Sequence, residues 1–352
     1  MFAIQCEGTP YEVGFQHGAA LTAQIQDSVD FYTWMFKKYT GKDWKDILVV
    51  AEEFAGQIGH RWPRFYDEIR GIAAGSGHSI EDIVALNVRT EIAYGLLAAY
   101  INVPVDGCTT LFWRTGESVF LGQNWDWMEQ QKRNAGLMTI KSPGLPTLKI
   151  MTEAGIIGKI GMNSSGVGIC MNAIRSTGYD SGRIPVHLAM RMALECQTAT
   201  QAAELLQNIG VAGSVHLLVA DVSNAFSFEF TSKTCLRLRA DNEHRIFHSN
   251  HMIEKHEGIC EDPEADSFPR LQRMRQIADE QLLAGGVKSL SSFQTLFDDH
   301  DGFPVSICRF QEGVSEDATL FNIVMDLSKK EALVTFGKLC KPEGVYSVAF
   351  DA

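Results

Sequence analysis

Asp106-Gly107-Cys108-Thr109-Thr110 is the stretch at which the sequence changes character, and Phe120-Leu121-Gly122-Gln123-Asn124-Trp125-Asp126 follows it closely. Before this stretch the apolar residues recur at helical spacing, whereas the segments after it are short and rich in β-branched and aromatic residues. Antiparallel hairpins interrupted by helical pairs predict an α+β fold, in which helices cover stacked sheets.

The part of the chain before Cys108 is predicted to be helical, with almost no strand signal. Apolar residues recur mostly every three or four positions through residues 10–40, and Gly41 follows as a stop signal. Pro63 can open a helix, and Ser79 begins a capping-box-like sequence. The predicted helices span residues 10–40, 44–58, 63–74 and 79–99.

The part of the chain after Cys108 is predicted to alternate between strands and helices. Residues 109–114 and 118–124 form a hairpin across the turn at 115–117. Further helices are predicted at 186–195, 200–209, 267–283 and 290–297. Further strands are predicted at 137–141, 147–151, 156–162, 167–172, 214–220, 225–230, 235–239, 245–249, 320–326, 332–337 and 345–350.

Cys108 is the candidate nucleophile. A thiol reacts as its thiolate, and an ordinary cysteine pKa of about 8.5 leaves little thiolate at neutral pH without a base. If the Gly107–Cys108 bond were cleaved, the new α-amine, with a pKa of about 7.7–8.0, would be that base. Gly107 leaves its carbonyl open to attack because it has no side chain. The alternative interpretation is a buried structural cysteine at the start of a strand.

Seven motifs resemble those of a known family in their order along the chain. The chain resembles the fungal acyl-coenzyme A:6-aminopenicillanic acid acyltransferases, also called isopenicillin N acyltransferases, which are N-terminal-nucleophile hydrolases. The similarity runs from Gly8 to about Phe350. The motifs are Asp106-Gly-Cys-Thr-Thr110, Gln123-Asn-Trp-Asp126, Thr152-Glu-Ala-Gly-Ile-Ile-Gly158, Asn163-Ser-Ser-Gly-Val167, Ser249-Asn-His251, Pro304-Val-Ser-Ile-Cys-Arg309 and Ala318-Thr-Leu-Phe-Asn322.

This resemblance implies a four-layer αββα sandwich preceded by a helical N-terminal segment. Self-cleavage between Gly107 and Cys108 would give a helical alpha chain, 1–107, and a beta chain, 108–352, that stay together as one compact unit. The mature enzyme would form an acyl-Cys108 intermediate and pass the acyl group to an amine, such as a β-lactam nucleus, or to water. No cofactor is implied, and acyl-coenzyme A is a candidate co-substrate.

Three further residues match the catalytic residues of the family. Asp126 ends the second strand of the first hairpin, so it should return towards Cys108 and either hydrogen-bond the new α-ammonium or orient the amine. Asn250 is a candidate oxyanion donor, a role whose loss typically costs about 3–4 kcal/mol of barrier. Arg309 is a candidate partner of Asp126 or of the thiolate. Each also has an ordinary interpretation: a strand-end turn, a turn asparagine and a surface charge.

Charge, cysteine spacing and targeting signals limit which functions the chain is expected to have. A formal net charge of −12 argues against nucleic-acid binding, so a large anion such as coenzyme A would need a local basic pocket. The eight cysteines include no Cys-x-x-Cys pair, and His248, His251 and His256 are expected to be hydrogen-bonded or exposed and not metal ligands. A signal peptide, a membrane span and a C-terminal peroxisomal signal are not recognised, so a cytoplasmic location is expected.

Two rival functions remain open at the sequence level. The first is a general amidase that acts on N-acyl amino acids or small peptides and has no penicillin-forming role. The second is an uncleaved, inactive homologue that is retained as a binding protein.

Overall fold

The strands form two sheets in the computed structural model, which describes residues 1–96 and 107–350. The eight-stranded sheet has the order β1-β4-β5-β6-β7-β8-β9-β10, and the six-stranded sheet has the order β11-β2-β3-β12-β13-β14. The strands are β1 (Phe2–Glu7), β2 (Gly107–Thr115), β3 (Ser118–Trp127), β4 (Ala135–Lys141), β5 (Leu148–Glu153), β6 (Ile160–Asn163), β7 (Gly168–Ala173), β8 (Val215–Ala220), β9 (Ala225–Phe230), β10 (Cys235–Leu238), β11 (Arg245–His248), β12 (Ala318–Asp326), β13 (Glu331–Lys338) and β14 (Lys341–Ala349).

Helices lie in the N-terminal part of the chain and between the hairpins, as an α+β fold requires. None of those described is long and apolar enough to cross a membrane. The α-helices are α1 (Pro10–Ala20), α2 (Thr22–Thr40), α3 (Trp44–Arg61), α4 (Pro63–Ser76), α5 (Ile80–Asn87), α6 (Val186–Leu194), α7 (Ala199–Ile209), α8 (Ser267–Leu283) and α9 (Leu290–Gln294).

The structure corrects the prediction of one helix over residues 10–40. The helix breaks at Leu21, which separates α1 from α2 and has ψ of 27°. Leu21 and Ile25 are both buried, so the apolar spacing continues through the break and hides it. The predicted helix 79–99 also ends early, at Asn87, and a π-helical segment, Glu91–Leu96, follows it. Residues 97–99 of that prediction lie outside the described residues.

Strand β1 corrects the prediction of a helical segment without a strand before Cys108. It pairs in parallel with β4 along the edge of the eight-stranded sheet, with Phe2 opposite Gly136. The alternation Phe2-Ala3-Ile4-Gln5-Cys6 is too short and too mixed to stand out from sequence alone. Residues on both sides of Cys108 therefore build the same sheet.

Helices α1 and α4 pack so closely that their backbones are in contact, because each helix contributes two glycines to the interface. A Cβ on Gly14 would lie 1.9 Å from the carbonyl oxygen of Glu68, and one on Gly75 would lie 2.3 Å from that of Phe15. Gly18 and Gly71 face similar clashes. No other residue type allows so close an approach of two helices.

The β2–β3 hairpin carries Cys108 into the interior between the two sheets. Strands β2 and β3 contact β7 of the other sheet. The Gln123 side chain on β3 donates to the Met171 carbonyl at 2.6 Å and accepts from the Met171 N–H at 3.0 Å. Helices α6 and α7 contact strands of the eight-stranded sheet, whereas α8 and α9 contact the six-stranded sheet.

Candidate active site

The Gly107–Cys108 peptide is held at its N–H, and the following peptide is held at its carbonyl. Cys108 is fully buried at the start of β2. Its backbone N–H donates to Oδ1 of Asn250 at 2.8 Å, and its carbonyl oxygen accepts from Nη1 of Arg270 at 2.7 Å. The attacking residue and the bond predicted to break therefore have a fixed position relative to β2 and α8.

Asp126 lies directly beside Gly107, as the hairpin predicts. The two residues are register partners on β2 and β3, and a Cβ on Gly107 would lie 2.9 Å from Oδ2 of Asp126. Oδ1 accepts from the Thr319 hydroxyl at 2.6 Å, while Oδ2 has no hydrogen-bond partner among the described residues. Burial raises the pKa of Asp126, and Arg309 and Arg270 offset this only in part. Glycine is needed here because the carboxylate occupies the space.

Arg309 reaches the same place from the chain segment before β12. A Cβ on Gly107 would lie 3.1 Å from its Nη1. The guanidinium binds the carboxylates of Asp266 and Asp317, the latter at 3.4 Å, and its charge lowers the pKa of Asp126. Burial alone would lower the pKa of Arg309. The carboxylates of Asp266, Asp126 and Asp317 have the larger effect, so its pKa is raised. Arg309 is thus a buried charge of the site and not a solvated surface arginine.

Asn250 contacts Cys108 through its acceptor oxygen. Oδ1 accepts both from Cys108 N–H and from Nη2 of Arg270 at 2.9 Å, whereas Nδ2 donates to the Ala173 carbonyl at 3.1 Å. The backbone N–H of Asn250 donates to the Ser267 hydroxyl at 2.7 Å. In the continuous chain this asparagine holds the amide nitrogen of Cys108, and its oxyanion role stays a prediction.

Arg270 and Asp266 are site residues that sequence reasoning missed. Arg270 contacts the Cys108 carbonyl, the Thr109 hydroxyl and Asn250, and its Nε binds Asp266 at 2.9 Å. Asp266 bridges the two arginines: burial raises its pKa, but Arg270 and Arg309 outweigh this and lower it.

The helical spacing of α8 could have identified Arg270 from the sequence. The buried positions of this helix are Ser267, Arg270, Leu271, Met274 and Ala278, so the arginine stands on the apolar face. A charged residue at a core position needs a partner, which marks it as a candidate for a site.

The histidines near Asn250 are hydrogen-bonded, as predicted. His248 and His256 both contact the carboxylate of Glu229, at 2.9 and 3.3 Å, and His251 contacts the Ser267 hydroxyl at 2.7 Å. A different group in the described part of the chain has metal-binding side chains close together. The ligand atoms of Asp298, His300, Cys308 and Cys340 all lie within 4.8 Å of one another.

The chain is similar in sequence to a known family of enzymes. Residues 113–339 match the family described as Acyl-coenzyme A:6-aminopenicillanic acid acyl-transferase. A relative, the Acyl-coenzyme A:6-aminopenicillanic-acid-acyltransferase 40 kDa form of Emericella nidulans, is 39% identical over 354 residues, which cover 99% of this chain and 96% of the relative. The chain belongs to this acyltransferase family. The resemblance inferred from the seven motifs is thereby confirmed.

Two solved structures are similar over 69% of this chain, each at 12% identity. One is a mutant of conjugated bile acid hydrolase from Clostridium perfringens, with a TM-score of 0.49 and 92% of that chain covered. The other is penicillin V acylase from Agrobacterium tumefaciens, with a TM-score of 0.44 and 86% covered.

Proposed function

We propose that this family member is a self-processing cysteine acyltransferase or amidohydrolase whose nucleophile is Cys108. The proposal includes the four-layer αββα sandwich of N-terminal-nucleophile hydrolases, with chains 1–107 and 108–352 staying associated after cleavage. One observation carries it: Asp126, Asn250 and Arg309, chosen from distant motifs, lie around the Gly107–Cys108 peptide.

Processing would begin with attack of Cys108 Sγ on the carbonyl carbon of Gly107. The C–N bond breaks, the amide nitrogen of Cys108 takes up the thiol proton, and a Gly107–Cys108 thioester remains. Asn250 holds that nitrogen through its N–H, and Arg270 holds the next carbonyl, so the peptide cannot turn away from the thiol. Water then hydrolyses the thioester to a Gly107 carboxylate and a free thiol.

In the mature enzyme the Cys108 α-amine would act as the base for its own thiol. The thiolate attacks an acyl donor, a thioester or an amide, and expels a thiol or an amine that takes up the proton. An acceptor amine or water then attacks acyl-Cys108 and regenerates the thiol. Asp126 Oδ2, which is buried beside Gly107, would accept a hydrogen bond from the α-ammonium.

Family membership supports acyl transfer as the reaction class, because the Emericella nidulans relative is named for an acyl-coenzyme A donor and a 6-aminopenicillanic acid acceptor. For this chain we propose the same classes: an acyl thioester as donor, and a β-lactam amine or water as acceptor. Associated chains are supported by the pairing of β1 with β4 across the cleavage point.

Denaturing mass spectrometry tests the processing step. Purified active enzyme should give two chains of the masses of 1–107 and 108–352, and Cys108→Ala should give one intact chain. Cys196→Ala, another buried cysteine, is the matched control and should be cleaved. An intact chain from active enzyme, or two chains from Cys108→Ala, would contradict the proposal.

Product analysis separates transfer from the rival functions. Enzyme incubated with an acyl thioester and 6-aminopenicillanic acid should yield the transferred amide as well as free acid. Hydrolysis of N-acyl amino acids, with no transferred amide, would favour the general amidase instead. Failure of a thiol-reactive acyl probe to label Cys108 would favour the uncleaved binding protein.

A further inference from the structure

A surface cleft of about 490 Å³ contains several charged residues that the chemistry at Cys108 does not use. Residues of strands β10 and β11, each at the edge of its sheet, line it together with residues of α8. We call it the arginine cleft and define it by Arg237, Arg239, Arg245 and Arg275. Its position at the meeting point of both sheets makes it a concave site built on rigid elements.

The arginine cleft has a small excess of positive charge, whereas the chain as a whole is acidic. Four arginines line it against the three carboxylates Asp241, Glu254 and Asp279, in a chain of net charge −12. Asp241 and Asp279 both bind Arg245, at 3.0 and 2.7 Å. The other three arginines form no ion pair with the described residues. An anion entering the cleft therefore meets guanidinium groups that are still open to it.

Aromatic rings hold three of these guanidinium groups in place. Arg237 lies 4.7 Å from the ring centre of Phe226. The Arg245 side chain lies 5.5 Å from the ring centre of Trp113 and 5.3 Å from that of Phe247, and Arg275 lies 5.5 Å from Phe247. Arg245 is only 7% exposed, and its Nη1 has no hydrogen-bond partner in the described part of the chain. Preorganised cations lose little entropy when they bind an anion.

Helix α8 and the segment after β11 connect the arginine cleft to Cys108. On α8, Arg270 contacts the Cys108 carbonyl, and Arg275 lies about 7.5 Å further along the helix axis. In the segment after β11, Asn250 contacts the Cys108 N–H, and Ile253 lines the cleft three residues later.

Strand β11 makes a third connection, because it pairs with β2. Arg245 lies opposite Trp113, which is five residues beyond Cys108 or about 17 Å along the strand. The odd spacing puts the side chains of Cys108 and Trp113 on opposite faces of β2, so a ligand that joins the two places has to pass around the β11 edge of the sheet.

We propose that the arginine cleft binds the phosphates and adenosine of a coenzyme A thioester, whose pantetheine arm extends towards Cys108. This rests on the proposed function, since the thioester is its acyl donor. Guanidinium groups suit phosphate because they donate two parallel hydrogen bonds to it. Leu238, Ile246 and Ile253 add an apolar wall against which an adenine can pack.

Isothermal titration of coenzyme A into wild-type enzyme tests the site without any turnover. Arg275→Ala and Arg237→Ala, both at exposed positions, should each weaken binding about tenfold. Affinity should also fall as salt rises, because the contacts are ionic. Arg70→Ala, an exposed arginine paired with Asp67 on α4, should bind as wild type does. Unchanged affinity in both cleft variants would overturn the proposal.

Competition identifies which part of the ligand is recognised. Adenosine 3′,5′-bisphosphate should displace coenzyme A, whereas inorganic phosphate and pantetheine should compete at least tenfold more weakly. Equal competition by inorganic phosphate would mean a site for any anion and would count against a coenzyme A site. Equal competition by ATP would assign the cleft to nucleotides in general, with the same consequence.

A kinetic comparison separates failure of the cleft from failure of the proposed function. The same acyl group is presented as its coenzyme A thioester and as its N-acetylcysteamine thioester, which lacks phosphates and adenosine. The preference in kcat/KM for the coenzyme A thioester should fall about tenfold in Arg275→Ala and stay at the wild-type value in Arg70→Ala. Turnover of both thioesters with no preference overturns the cleft alone, whereas wild-type binding of coenzyme A with no turnover of either thioester overturns the proposed function alone.

Discussion

Two buried carboxylates, Asp126 and Glu153, both lie near two cationic side chains but differ in how many hydrogen bonds they accept. Glu153 accepts four hydrogen bonds: from Tyr32 at 2.6 Å, Gln131 at 3.1 Å, Arg89 at 2.7 Å and Lys159 at 2.6 Å. Burial raises its pKa, but Arg89 and Lys159 outweigh burial and hold it well below its usual value. Among the described residues the Asp126 side chain accepts one hydrogen bond, from Thr319, and its pKa is raised.

The difference teaches how to tell a structural charge from a functional one in this fold. A buried carboxylate with all its acceptor sites filled is stabilised as part of the core. A buried carboxylate with an unfilled oxygen destabilises the fold, and such a cost persists where the group has a function. Glu153 belongs to the first class, and Asp126, with Oδ2 open beside Gly107, belongs to the second.

Substitution of Asp126 should give the largest effect among substitutions of these buried carboxylates. It should lower the catalytic activity without lowering the stability of the fold. Asp126→Asn should lower kcat/KM by at least about 100-fold, because a neutral amide cannot stabilise the α-ammonium of Cys108. The free energy of unfolding in urea should stay within about 1 kcal/mol of wild type or rise, because a poorly solvated charge is removed. Wild-type activity in Asp126→Asn would break the comparison.

Substitution at Glu153 should show the reverse pattern, with stability most affected. Glu153→Gln leaves the buried cations of Arg89 and Lys159 without their carboxylate, which typically costs about 3–5 kcal/mol. Urea unfolding measures the loss, and Glu204→Gln, an exposed carboxylate on α7, is the control. A loss below about 1 kcal/mol would show that Glu153 is not the saturated structural charge described here.

Glu91 resembles Asp126 in having one unfilled oxygen and a raised pKa, and it gives a pH-dependent effect. Its Oε1 accepts from the Val186 N–H at 2.7 Å, Oε2 has no hydrogen-bond partner among the described residues, and burial raises its pKa to about 7. Since the folded pKa lies above the unfolded one, the protonated form stabilises the fold. That stability is complete below about pH 4.5 and is lost as the pH rises to about 7, by about 3 kcal/mol.

Glu91→Gln should remove this pH dependence while keeping the acceptor for Val186. Unfolding free energies measured between about pH 5 and pH 8 should therefore fall less steeply in the variant than in wild type. Parallel profiles for the two proteins would contradict the raised pKa of Glu91.

Much of the fold was predictable because its signals are local. Strand β9 and helix α8 begin and end where the spacing predicts, at Ala225–Phe230 and Ser267–Leu283. The hairpin of β2 and β3 was also predicted, and with it the proximity of Asp126 to Cys108. Strand β1 was missed because its pairing with β4 is made across more than 120 residues, and a short edge strand has little pattern of its own.

The sequence by itself determined the α+β class, the family and the hairpin that sets Asp126 beside Gly107, because periodicity, motif order and turn chemistry depend on neighbours along the chain. Only the tertiary structure decided which buried carboxylates have all their hydrogen-bond acceptor sites filled. It brought Arg270 to Cys108 and Asp266 to Arg270, and it gathered the arginine cleft from two strands and a helix. The reason is physical: the energy of a buried charge depends on the groups around it in space, and these come from distant parts of the chain.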